Sequence, residues 1–165
     1  MPRIDALLEE FTREVRTARR HLERLPEEHF GWRPHAKSFT AGELGSHMAD
    51  CVRWAEQVFA VDELDMDPAT YEPVRSDSVT SALAAFDAAV EGALRAMGGT
   101  ADRDATQPWR VRVHGAVFLE KEREAAFRDI SLSHLIHHRG QFTVYLRLLD
   151  VPLAGTYGPT ADEAE

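Results

Sequence analysis

Apolar residues recur at spacings of three and four in four separate stretches of this 165-residue chain, and that pattern constrains its fold more than any other feature. Such spacing lays one apolar stripe along a helix, and the stripe must be buried against another element. Ile4, Leu7, Leu8, Phe11, Val15, Ala18, Leu22 and Leu25 predict a helix over residues 3–24, stopped by Pro26. Thr40 and Glu43 form a T-x-x-E capping box that opens a second helix over 41–61. Its stripe is Leu44, His47, Met48, Cys51, Trp54, Ala55 and Val58. Ser78 opens a third helix, which carries Val79, Leu83, Phe86, Val90, Leu94 and Met97 and ends at Gly98-Gly99. The last and longest is predicted over 120–149, with Phe127, Ile130, His134, His138, Gln141, Tyr145 and Leu149 on one stripe.

Between the third and fourth helices, Trp109, Val111 and Val113 alternate with Arg110 and Arg112, and His114-Gly115 supplies a tight turn. A period of two followed by a turn predicts a short β-hairpin. Residues 62–77 are acidic, contain Pro68 and Pro73, and read as a long loop. The expected fold is therefore all-α, a four-helix bundle with a small β-hairpin inserted before the last helix, in one domain over 1–165.

The charge balance narrows the partners. The net charge is −9, the wrong sign for a chain held to nucleic acid by phosphate contacts. Cys51 is the only cysteine, which excludes an internal disulfide and a Cys-rich metal site and fits a reducing compartment. The N-terminus has no signal-peptide pattern, and no apolar run approaches the ~20 residues of a membrane span. The expectation is a cytoplasmic protein with neither a nucleic-acid nor a membrane partner.

Of the eight histidines, three fall on apolar stripes. His134 and His138 are one turn apart on the last helix, about 6 Å along its axis, and His47 lies on the second. A ring on a core face needs a polar partner, because burying it unpaired is costly. Three imidazoles from two helices can satisfy one another through a divalent cation, each nitrogen about 2.0–2.1 Å from the ion. The alternative is a set of core histidines hydrogen-bonded to their surroundings. His21, His29 and His35 lie near the first connector and read as surface groups, and His114 reads as a turn residue. His137 and Arg139 point off the stripe. Cys51, one turn after His47, reads as a small buried hydrophobe rather than a metal-linked thiol. Asp50, Gln141 and Tyr145 are candidates to orient a ligand ring or line its surroundings. The metalloprotease string H-E-x-x-H is absent, since Leu135 stands where its Glu belongs. No E-x-x-H pair exists, which excludes ferritin-like di-iron chemistry.

Two long segments carry a resemblance to a known family. LPEEHFGWRPHAKSFTAGELGSHMADCVRWA resembles the first half of the DinB/YfiT-like superfamily of metal-dependent enzymes, in which a Trp-Arg-Pro connector leads into a helix with one metal His. SLSHLIHHRGQFTVYLRLLDVPLAGTYGP resembles the second half, in which an H-x-x-x-H-R-G-Q helix supplies two more. The resemblance implies a four-helix bundle with metal ligands His47, His134 and His138. It also implies a thiol-dependent activity, since members include bacillithiol and mycothiol S-transferases and a mycothiol-dependent maleylpyruvate isomerase. Family members are often dimers, which implies a homodimer.

Three neutral His ligands leave a coordination position open, the mark of a catalytic site, and a metal there lowers the pKa of a bound water or thiol. Imidazoles suit several metals; Zn or Ni comes first, with Fe or Mn after them. The leading expectation is an S-transferase that joins a small-molecule thiol to an electrophile. The alternatives are a metal-dependent hydrolase and a non-catalytic, metal-binding stress-response module.

Overall fold

A computed structural model describes residues 2–163, which are mostly helical with a small three-stranded sheet. Helix α1 spans Arg3–Leu22, and its stripe of Ile4, Leu7, Phe11, Val15, Ala18 and Leu22 is buried. Helix α2 spans Ala41–Ala60 and begins at the expected capping box. Glu43 N–H donates to Thr40 Oγ1 at 3.1 Å, and Thr40 N–H donates to the Glu43 carboxylate at 2.7 Å. The connector before it folds back onto this first turn. A Cβ on Gly42 would lie 2.3 Å from the Phe30 ring, so only glycine admits that close approach.

Helix α2 is the central rod and is buried on most sides, packing on α3 (Val79–Gly98), on the last helix and on α1. Among the described residues no helix is long and apolar enough to cross a membrane.

The predicted hairpin forms from β2 (Pro108–Val113) and β3 (Ala116–Glu122), which pair antiparallel. His114 (φ 50°) and Gly115 (φ 77°) are both left-handed, as a two-residue type I′ turn requires. A third strand was not expected. Residues Glu63–Met66, inside the stretch read as loop, form β1 and pair parallel with β2. The reason is electrostatic as well as steric: Glu63 accepts from Arg112 at 2.7 Å, while Arg110 on the same strand pairs with Glu120 of β3 at 2.6 Å. The acids that made this stretch look like solvated loop match the arginines of the neighbouring strand.

The last helix also departs from expectation. It starts at Arg123 rather than 120, because β3 continues through Glu122. The Arg123 guanidinium is buried and donates to the Val58 and Val61 carbonyls, so a cation closes the C-terminal end of α2. After α4 (Arg123–Phe127) comes one π-helical stretch, Arg128–Leu132, and then α5 (Ser133–Leu148). The π turn shifts the helix phase. The buried residues of α5 are Leu135, Arg139, Phe142, Tyr145 and Leu146, so His134, His138 and Gln141 of the predicted stripe lie at the edge of the core rather than inside it, while Tyr145 is buried. The helix ends in a Schellman motif: Val151 N–H donates to Leu146 O, Asp150 N–H donates to Arg147 O, and Asp150 takes φ 55°.

Candidate metal centre

Helices α2 and α5 bring His47, His134 and His138 together. All three rings are half-buried. Their centroids form a near-equilateral triangle with sides of 4.5, 4.7 and 5.0 Å. His47 Nε2 and His134 Nε2 are 3.3 Å apart. Two nitrogens each held about 2.05 Å from one tetrahedral ion would be separated by about 3.3 Å. One donor atom from each His, with Cys51 Sγ, lies within 4.8 Å of the others. The donor set therefore fits a divalent transition ion.

Two of the rings, His47 and His138, are held toward the neutral form. Burial lowers the His47 pKa, the nearby His134 lowers it further, and the Asp50 charge opposes only part of this. Burial takes His138 down to about 4. A ring that is neutral at pH 7 offers a lone pair without first losing a proton. His138 Nδ1–H donates to Gln141 Oε1 at 2.8 Å, which leaves the Nε2 lone pair facing the cluster.

The other candidates fall in several places. Gln141 sits behind His138. Tyr145 is one step removed: its hydroxyl donates to the Phe39 carbonyl at 3.2 Å, and the Phe39 ring lies 5.6 Å from that of His47. Asp50 does not hold a ring. Its buried carboxylate accepts from Val74 N–H at 3.0 Å, from the Tyr71 hydroxyl at 3.4 Å and from Arg53 at 2.7 Å, which ties the 71–74 segment to α2. Cys51 is fully buried, as expected of a core residue, yet its sulfur belongs to the donor group, a position its spacing of four from His47 signals. Burial pushes its thiol pKa up.

His137 is exposed and His35 is exposed. His21 is the correction: it is fully buried, not a surface group. Its Nδ1 lies 2.9 Å from Thr17 O and its Nε2 2.9 Å from Ala154 O, so it fastens the C-terminal tail to α1. Arg139 does point off the His stripe, but into the core, where it meets Glu14 at 2.6 Å.

Two clefts meet at the triangle. His47 is in the wall of one, about 440 Å³ and of mixed character, with Phe39, Glu43, Val74 and Arg75. His134 is in the wall of the other, about 450 Å³ and apolar, with Trp54, Met66, Val111 and Ile130. Sequence reasoning found neither, because strand β1 and residues 73–76 form walls from a segment read as irregular.

Comparison with known proteins gives the family and the fold. A model of the DinB family matches residues 1–165. A DinB-like protein of Bacillus cereus is similar in structure, with a TM-score of 0.72 at 19% identity, over 95% of this chain and 100% of that one. A DinB-like protein of Bacillus subtilis gives a TM-score of 0.70 at 15% identity, over 97% of this chain and 99% of that one. No curated protein matches this chain. The match over every residue, with the helical fold shared by these two structures, places the chain in the DinB family.

Proposed function

We propose that this chain is a metal-dependent S-transferase that joins a low-molecular-weight thiol to an electrophile at His47, His134 and His138, on a four-helix-bundle frame. The observation that carries this reading is the pair of clefts. His47 and His134, whose Nε2 atoms are 3.3 Å apart, stand in the walls of two separate clefts, one of mixed character with charged groups in its wall and one mainly apolar. A transfer between two molecules needs two seats beside one centre; a hydrolysis needs one seat and water. The His47 cleft has both an acid, Glu43, and a cation, Arg75, in its wall, which suits a thiol carrying carboxylate and ammonium groups.

Bound by these rings, a divalent ion such as Zn or Ni lowers the pKa of a coordinated thiol. The chain's own part is positional. Gln141 fixes the His138 ring, and Phe39, held by Tyr145, packs against His47. In the transfer, the thiol proton goes to solvent and sulfur bonds to the electrophilic carbon as its bond to the halogen or the epoxide oxygen breaks. A halide departs with the electron pair, whereas the opened epoxide oxygen keeps the pair, stays on the product and takes up a proton from water. The test is a panel of low-molecular-weight thiols with a haloarene or an epoxide, using Zn- or Ni-loaded protein and protein stripped with chelator. Conjugation only by the loaded protein supports the reading. Metal binding without conjugation of any thiol moves it to the hydrolase or to a non-catalytic binding module.

A further inference from the structure

The hairpin has one irregularity, and it lies at the apolar cleft. Along β2 and β3 the register runs Val111 opposite Leu119, then Arg112 opposite Val117. Phe118 has no partner; it is the extra residue of a β-bulge. In a regular strand, consecutive side chains point to opposite faces. Here Phe118 and Leu119 both line the cleft that His134 also lines, which is what a bulge accomplishes by re-aiming a side chain. Phe118 is 76% exposed, so it contributes little to the core. The remaining walls are Trp54, Met66, Val111 and Ile130, and the one charged group among them, Asp129, is paired with Lys121.

The geometry points to this cleft as the seat of a neutral, apolar acceptor whose reactive end lies at His134, with the bulged Phe118 as the residue that sets the length of apolar body accepted. The word acceptor rests on the transfer reading; the binding seat does not. The cleft has no free charge to hold an ionic group, and one of its walls is a ring of the donor cluster. An apolar body placed there is withdrawn from water at roughly 0.8 kcal/mol per buried CH₂, about a fourfold gain in affinity for each methylene.

Straight-chain alcohols from butanol to octanol are inert probes of this seat. Their affinity for Zn-loaded protein, measured by calorimetry with no thiol present, should rise about threefold to fourfold per methylene until the cleft is full. Phe118→Asp should weaken hexanol at least tenfold, Phe118→Leu should restore most of the loss, and Leu148→Asp should change nothing. Leu148 is also an exposed apolar residue, but it lies fourteen positions from His134 along the last helix, about 21 Å away. Absence of binding, affinity independent of chain length, or a Phe118→Asp variant equal to wild type would overturn the proposal. So would a solution dimer that Phe118→Asp dissociates, because Phe118 would then face a second copy. Graded alcohol binding without thiol conjugation would leave the seat standing and remove the transfer reading. Conjugation with equal kcat/KM for short and long alkyl epoxides would do the reverse.

Discussion

Helix α5 carries two polar clusters from neighbouring positions, and they differ in what completes them. Arg139 turns toward α1, where it meets Glu14 at 2.6 Å and the Tyr157 hydroxyl at 2.7 Å. The Tyr157 hydroxyl in turn donates to Glu14 at 2.8 Å, and Arg13 reaches the second carboxylate oxygen at 3.1 Å. Every charge there has a protein partner. His138, one residue earlier, turns toward α2, where three rings converge. Gln141 holds the far side of His138, but the inward nitrogens of His47 and His134 have only each other. A buried polar cluster that satisfies itself is structural, whereas one whose lone pairs point at a common centre is built for something bound there.

The largest expected effect separates the two clusters by function. His134→Ala should reduce thiol conjugation to the uncatalysed rate, while thermal unfolding of the metal-free protein changes little. Substitution in the other cluster should do the opposite. Glu14→Gln leaves the Arg139 cation buried without its counter-charge, and removing one partner of a buried pair costs about 3–5 kcal/mol. Denaturant unfolding should show that loss, with one metal ion per folded chain retained.

The same pair sets a pH dependence. Burial alone would raise the Glu14 pKa, but hydrogen bonds from Arg139 and Tyr157 and the Arg139 charge outweigh it and hold the carboxyl below its ordinary value. A folded-state pKa below the unfolded one means stability that is fully present above about pH 4.5 and is lost as the pH falls through the folded value. Unfolding free energies of the metal-free protein from about pH 7 to about pH 3 should fall more steeply for wild type than for Glu14→Gln.

Smaller effects sharpen the contrast. Gln141→Leu frees the His138 ring to rotate and should weaken metal binding about 10–100-fold without unfolding the protein. Tyr157→Phe removes one hydroxyl from the Arg139 cluster and should cost about 1 kcal/mol in stability with metal affinity unchanged.

How far the sequence could be read follows from where each signal is local. Helices α1, α2 and α3 were legible because their apolar spacing is regular, and the starts of α2 and α3 are marked by capping residues within the first turn. The core face of α5 was not, because Arg139 occupies an apolar position on it and the π turn shifts the phase after Phe127. Strand β1 is four residues with two acids, and its partner arginines are more than forty positions away. His21 is buried only because the C-terminal tail returns to it through Ala154, a contact no local pattern encodes. The bulge at Phe118 depends on the β2–β3 register, which a single strand's sequence does not reveal. The convergence of His47, His134 and His138 was legible because helix periodicity sets the last two one turn apart on one face, although that face lies at the edge of the core and not inside it.

On the proposed reading, His47, His134 and His138 together hold one divalent ion. Metal content by mass spectrometry after loading with Zn and desalting tests it most directly, using wild type, the three single alanine variants and His137→Ala. His137 is the fitting control, since it is exposed and adjacent to His138 but outside the donor group. Wild type and His137→Ala should each hold one ion per chain, and His47→Ala, His134→Ala and His138→Ala should hold close to none. Equal metal in all five proteins would contradict that reading.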